Sequence, residues 1–256
     1  MTDEHVRLTI GGSLATVELS GRGELNLLHQ PLFERLDQVL EELNNREDVR
    51  VVVLKGRGDR AFSGGVDVKM MKEFDPTRAE AFIRSLHAAM IRVLRLKQPV
   101  IAQIMGPCLG GAMELVMACD LRVASPDARF GLPEIRVGVP SVIEAALLQH
   151  IIGLSRAREL ILLGDLIDAQ EALAMGFLNK VAARADLEAA TRSLAERFLE
   201  LSPKMLAVQK EIVYQWLNLG LDQGAEYSSK AFGLCFATDH PREAMTAFLE
   251  KRKPRF

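Results

Sequence analysis

Two glutamates and two glycine pairs are the residues of this chain best suited to chemistry. Glu114 follows Gly110-Gly111 in the stretch GPCLGGAME (106–114), and Glu134 stands in FGLPEIRVGVP (130–140), twenty residues further on. The other glycine pair, Gly64-Gly65, lies in RAFSGGVDVKMM (60–71). Each pair directly precedes a helix-like run, so the backbone can turn sharply and leave unshared N–H groups at a helix start. Two such starts, each with a positive dipole end, could together bind a developing oxyanion. Positions i and i+3 share a helix face, which places the Glu114 carboxylate near the Gly111 amide. Taken singly these features are bland: a glycine pair makes a tight strand-to-helix turn, and a lone loop glutamate is usually solvated. GPCLGG fits neither GxGxxG nor the P-loop with its Lys-Ser/Thr, which disfavours a dinucleotide-binding enzyme.

Both acids need elements that carry them to one end of a core. Residues 6–10 and 14–19 are β-like runs joined at Gly11-Gly12, a hairpin signal. The stretch 31–44 has apolar residues at helical spacing (Leu32, Phe33, Leu36, Val39, Leu40, Leu43), and RVVVL (50–54) is a buried-strand run. A helix over 77–96 leads to the strand-like 99–105, and the apolar helix AMELVMA (112–118) leads to a strand over 120–124. Strand, glycine-rich corner, helix and strand recur without one exact period. This pattern predicts an α/β core of successive turns whose loops gather on one side. Beyond Pro140 the patterns are helical, over 143–152, 155–163, 169–175, 186–201, 203–217, 221–235 and 241–251, with only 178–181 extended.

Bulk properties narrow the function. The chain has 256 residues, 48% hydrophobic and 26% charged, an ordinary globular composition ample for a sizeable core. A formal net charge of −2 argues against nucleic acid as a partner. Cys108, Cys119 and Cys235 form no CxxC pair and no metal pattern with histidine, and read as buried thiols in a reducing compartment. No metal site is expected. The start MTDEHVRLTI carries no secretion signal, and no apolar run reaches the roughly eighteen residues of a membrane span. A cytoplasmic protein with no membrane partner is the expectation. Five histidines (His5, His29, His87, His150, His240) make no recognisable set with Ser63 or Ser141, and read as surface or packing residues.

In order and spacing, the three segments resemble those of the crotonase superfamily, the enoyl-CoA hydratase/isomerase family. RAFSGGVDVKMM resembles its first oxyanion segment, GPCLGGAMELVMACDLRVAS its second, and ARFGLPEIRVGVP the F-G-x-P-E segment. The resemblance continues through GLSRARELILLGDLIDAQEALAMGFLNKV and FATDHPREAMTAFLEKRKPRF, and so covers nearly the whole chain. It implies an α/β spiral core of repeated ββα turns over residues 1–200, holding the CoA and acyl site. A C-terminal helical region over 201–256 would serve trimerisation. Carried over by position, the amides of Val66 and Gly111 are the oxyanion donors, and Glu114 and Glu134 the catalytic acids. Arg60 and Lys69 fall where basic side chains meet CoA phosphates, Ala61 by the adenine, and Asp67, beside the first donor, is a further CoA-binding position. Phe232 and Lys251 fall on positions that reach the CoA of an adjacent subunit. The chain departs from the family at Glu24 and Leu27, near the CoA entrance, and at 140–148, where glycines are lost and Glu144 is added.

The resemblance implies syn hydration of a 2-trans-enoyl-CoA, with an acyl-CoA thioester as substrate and no cofactor beyond the CoA it carries. Glu134 is expected as the α-carbon acid and Glu114 as the base that orients water. Glu144 is expected as a plain helix-start acid that complements the dipole. The runner-up is Δ3,Δ2-enoyl-CoA isomerase, for which Glu144 leaves room; a non-catalytic binding homologue is a third reading. A homotrimer or dimer of trimers is implied.

Overall fold

The computed structural model describes residues 5–256, so part of the N-terminal stretch read for a secretion signal lies outside the described residues. The chain opens with the predicted hairpin, β1 (Val6–Gly11) and β2 (Leu14–Leu19), turned through Gly12 at φ +61° and paired from Val6↔Leu19 to Gly11↔Leu14. Next come α1 (Gln30–Asn44), β3 (Val51–Gly56), α2 (Val68–Met71), α3 (Pro76–Arg95) and β4 (Val100–Ile104). The six apolar residues predicted for the stripe of α1 are all buried. Then follow β5 (Pro107–Leu109), α4 (Gly111–Met117), β6 (Leu121–Ala124), β7 (Arg129–Gly131), α5 (Leu148–Ile152) and α6 (Leu154–Leu163). The chain closes with β8 (Ile167–Asp168), α7 (Ala169–Ala174), β9 (Lys180–Val181), α8 (Leu187–Leu199), α9 (Pro203–Asn218), α10 (Leu221–Cys235) and α11 (His240–Leu249).

These strands form a six-stranded sheet in the order β1-β2-β3-β4-β6-β9, parallel from β2 onward, and a small sheet in the order β5-β7-β8. The central parallel strands β3, β4 and β6 are buried on both faces, whereas β1 and β2 bury one face only. Side chains alternate across it. Val52, Leu54, Ala102, Ile104 and Ala124 join the main core, whereas Val51, Ile101 and Val123 pack with Leu187 and Ala190 of α8. Successive turns thus place one strand in the large sheet, one short strand or bridge in the small layer, and then a helix or helical turn, the α/β spiral expected.

Two cations, Arg122 buried and Lys210 partly buried, tie the helices to this frame. Arg122 donates to the carbonyls of Phe177 (2.6 Å), Cys119 (2.9 Å) and Val116 (3.2 Å), which ties the end of α4 to the segment that follows α7. Lys210 of α9 donates to Asp120 (2.6 Å) and to the Gln98 and Val93 carbonyls, which seats the first C-terminal helix on the core. Among the described residues, no helix is long and apolar enough to cross a membrane.

Candidate active site

The three sequence segments meet because three successive turns of the core stack in register. Ser63 bridges Cys108, and Cys108 pairs with Phe130, through Ser63 N–H to Pro107 O (3.1 Å), Leu109 N–H to Ser63 O (3.1 Å) and Gly110 N–H to Gly131 O (2.9 Å). Val66 and Gly111 each lie three residues beyond their stacked position, and Glu134 four beyond its own. Offsets of three, three and four residues from the stacked positions bring the three groups to neighbouring levels of the spiral.

At that level the backbones are in close approach. Gly65 takes φ +94°, and a Cβ there would stand 2.8 Å from the Leu109 carbonyl oxygen, so only glycine fits. A Cβ on Gly111 would stand 3.2 Å from Val66 Cγ2 and 3.5 Å from Leu86 Cδ2. The two proposed donor positions are therefore neighbours. Gly111 is the first residue of α4, where an amide has no helical partner. Around Val66, pairing with Leu28 uses the Gly65 carbonyl (2.8 Å) and the Asp67 amide (3.2 Å), and leaves the Val66 amide outside that ladder. Ser63 Oγ donates to Asn26 O (2.7 Å) and accepts from Gly65 N–H (3.1 Å), which fixes the loop. The helix expected from Val66 is a single turn, α2, capped by the Asp67 carboxylate on Lys69 N–H at 3.0 Å.

Glu134 sits in a 3-10 turn (Pro133–Val137) against the backbone of Gly110, where a Cβ would lie 2.6 Å from its Oε1. Gly110 has φ +55°, so both its conformation and this carboxylate require glycine. Ser141 Oγ donates to Glu134 Oε2 at 2.9 Å. Burial holds the Glu134 carboxyl above its ordinary range, against the pull of its own amide and of Ser141. Glu114 projects from α4, only 3% exposed, and its Oε2 has no hydrogen-bond partner. Burial first, then the charges of Glu134 and Glu144, push it up to about 9, while the Val142 and Ala145 amides oppose the shift. In the free site the proton therefore rests on Glu114.

Glu144 corrects the sequence reading. The expected helix over 143–152 is a 3-10 turn (Ile143–Leu147) followed by α5. Ile143 enters it at φ +48°, a left-handed conformation that costs a β-branched residue about 1–2 kcal/mol. Glu144 does not point to solvent to complement a dipole. Its side chain is 3% exposed and lies 2.7 Å from His87 Nδ1. His87, read as a surface or packing residue, is half-exposed and holds this buried acid.

The CoA-contact residues expected from the sequence are scattered by comparison. Ala61 is buried, and its carbonyl accepts from Asn26 Nδ2 at 3.0 Å. Arg60 is exposed and ion-paired to Glu24, one of the departures from the family pattern. Asp67 is partly buried and faces Arg22 at 3.4 Å, and Lys69 is exposed beside it. Phe232 is exposed on α10 against Phe236, and Lys251 is exposed beyond α11 at φ +54°. Within one chain neither is drawn to the acids. Sequence reasoning missed the Ser141 hydroxyl and the His87 imidazole, since neither type stands out in a loop or at a helix edge. Among the described residues, no group of three or more His, Cys, Asp or Glu could hold a metal ion.

Comparison with known proteins gives one family. The family described as enoyl-CoA hydratase/isomerase matches residues 9–256. A short-chain-enoyl-CoA hydratase of Clostridium acetobutylicum is 34% identical over 97% of this chain and 96% of its own length. A crotonyl-CoA hydratase of Syntrophomonas wolfei is 31% identical over 100% of this chain and 99% of its own. Among solved structures, an enoyl-CoA hydratase from Bacillus anthracis superposes with a TM-score of 0.92, at 30% identity, over 98% of both chains.

Proposed function

Because the chain belongs to the enoyl-CoA hydratase/isomerase family, we propose that it adds water to a short 2-trans-enoyl-CoA thioester. The observation that carries this reading is the meeting of Glu134 with the Gly110–Gly111 backbone, next to Val66 and to the helix that bears Glu114. The thioester carbonyl oxygen would lie between the amides of Val66 and Gly111. As water attacks the β-carbon, charge builds on that oxygen, and each fixed donor is worth on the order of 3 kcal/mol to the transition state. No cofactor is required beyond the CoA of the substrate.

The two acids share one proton, so they titrate as a pair. A water held between them loses a proton to the ionised carboxylate while its oxygen bonds to the β-carbon. The protonated partner gives its proton to the α-carbon, which closes the addition of one water. In the free site that proton is on Glu114. For Glu134 to serve as the α-carbon acid, the proton passes through the bound water as substrate settles. The reverse division, with Glu114 as the donor, needs no transfer and gives the same product.

Arg60 and Lys69 are suited to the CoA phosphates, Arg60 by exchanging its Glu24 partner for phosphate. Large apolar residues stand exposed on the C-terminal helices, including Phe232, Phe236 and Phe248. We read them as contacts of a trimer or dimer of trimers, in which Phe232 and Lys251 reach a neighbour's CoA. The test is turnover of crotonyl-CoA beside 3-enoyl and branched acyl-CoAs. Rapid loss of the conjugated thioester absorbance, with a 3-hydroxyacyl product, is expected. Isomerisation of the 3-enoyl substrate with negligible hydration would replace this reading with the isomerase.

A further inference from the structure

The His87–Glu144 pair has no role in the reaction as written, yet it is built into the site's wall. Glu144 is 3% exposed, its Oε1 is 2.7 Å from His87 Nδ1, and its Oε2 has no hydrogen-bond partner. Its neighbours in the turn and in α5, Ala145 and Leu148, are buried and apolar, so packing alone gives no reason for a carboxyl there. An apolar side chain of similar size would avoid the desolvation cost. The turn that carries Glu144 presents its Val142 and Ala145 amides to the Glu114 carboxyl. On the other side, Leu86, the neighbour of His87, packs where Gly111 would bear a side chain. One hydrogen-bonded pair thus joins α3 to the 143–147 turn, which packs on the acid-bearing helix α4 beside the proposed donor amide.

We infer that Glu144, clamped by His87, is a positioning residue for the proposed hydration: it fixes the 143–147 turn against Glu114 and sets the electrostatic surroundings in which that acid holds its proton. This inference rests on the functional reading above and adds a third acid to it. The groups in play are few. Glu114 feels Glu134 from the 133–137 turn and Glu144 from the 143–147 turn, and both hold its proton on. Glu144 faces His87 of α3, which draws it toward the ionised form against burial. Of the other charged groups on the elements packed there, Arg84 of α3 is tied to Glu80 and His150 of α5 is exposed. His87 is half-exposed, so the pair behind Glu114 is in contact with the medium.

Glu144→Gln keeps the shape and removes the charge. On crotonyl-CoA it is expected to lower kcat on the order of tenfold, the scale of one lost charged hydrogen bond, with KM little changed. The basic limb of the pH profile should move down by about half a pH unit or more, because Glu114 loses a negative neighbour. His87→Ala should lower kcat similarly and add little to Glu144→Gln, since both act through one pair. A Glu144→Gln variant with native kcat and an unmoved basic limb overturns the inference. A loss as deep as that of Glu114→Gln also overturns it, by making Glu144 a catalytic acid. Carboxyl carbon NMR of Glu114 across the same pH range reads the coupling without turnover. A downward shift there in Glu144→Gln, in a protein that hydrates no enoyl thioester, would leave the coupling standing and discard the function. Hydration with an unmoved Glu114 titration would do the reverse.

Discussion

The turns at Pro133–Val137 and Ile143–Leu147 are alike in kind and opposite in use. Both are five-residue 3-10 segments with a glutamate at the second position, and burial raises both carboxyls. Glu134 is partly open, takes a neutral hydroxyl from Ser141 and presses on the glycine backbone that leads to a donor amide. Glu144 is closed off, takes an imidazole and backs onto Glu114. The residue type is the same, so the partner and the opening decide which acid can meet a substrate. In the proposed reaction the acid beside the glycine corner meets the water, whereas the one locked to histidine supplies charge and rigidity.

This contrast is sharpest for the acids themselves. Glu134→Gln and Glu114→Gln are each expected to lower kcat on the order of 100-fold or more, the range for a lost acid–base group. Glu144→Gln should fall well short of either. Equal losses at all three positions, measured by steady-state hydration of crotonyl-CoA, would erase the distinction between the turns.

Ser141→Ala gives a smaller effect. It removes the hydroxyl that favours ionised Glu134, so that carboxyl takes up its proton at higher pH and the acid limb of the profile moves up. A severalfold drop in kcat near neutral pH is expected, with the basic limb unmoved. A shift of the basic limb alone would mean that Ser141 acts on Glu114 instead.

A further effect is on stability. Folding raises the Glu114 carboxyl from its ordinary 4.5 to about 9, so the folded chain binds that proton more tightly than the unfolded one. The contribution of this group is therefore greatest below its ordinary value, and it falls as pH rises toward about 9. Glu114→Gln abolishes the trend, at most about 1.4 kcal/mol per pH unit. Urea unfolding at mildly acidic and mildly basic pH should find the variant gaining on the native protein as pH rises. A constant difference would contradict the buried, protonated state of Glu114.

Much of this site was legible in the sequence, and the reason is local. Gly65 and Gly110 declare backbone in a left-handed conformation at close quarters, and spacing alone placed Glu114 on the helix that Gly111 begins. Stacking of Ser63, Cys108 and Phe130 was not legible, because β5 and β7 have three residues each and β8 has two, too few to show a period. The long helices α1, α3 and α10 were read to within a residue or so at each end, since their apolar stripes repeat over several turns. The 143–152 stretch was read as one helix because its apolar residues have helical spacing. Left-handed Ile143 breaks that path and turns Glu144 inward, and nothing in a one-residue conformation is written in residue type. His87 lies beside Leu86 at the edge of the buried stripe of α3, so its partner, 57 residues away, was out of reach of any periodicity.

The central claim is that Glu114 and Glu134 act on one water with one shared proton. It is tested most directly by a double-mutant cycle on crotonyl-CoA hydration, with Glu114→Gln, Glu134→Gln and the two combined, each checked for folding by circular dichroism. If the acids work as a unit, the combined variant loses little more than the worse single variant, because either change already disables the pair. Losses that multiply, so that two drops of about 100-fold become one of about 10,000-fold, would mean two independent roles and would contradict the shared water.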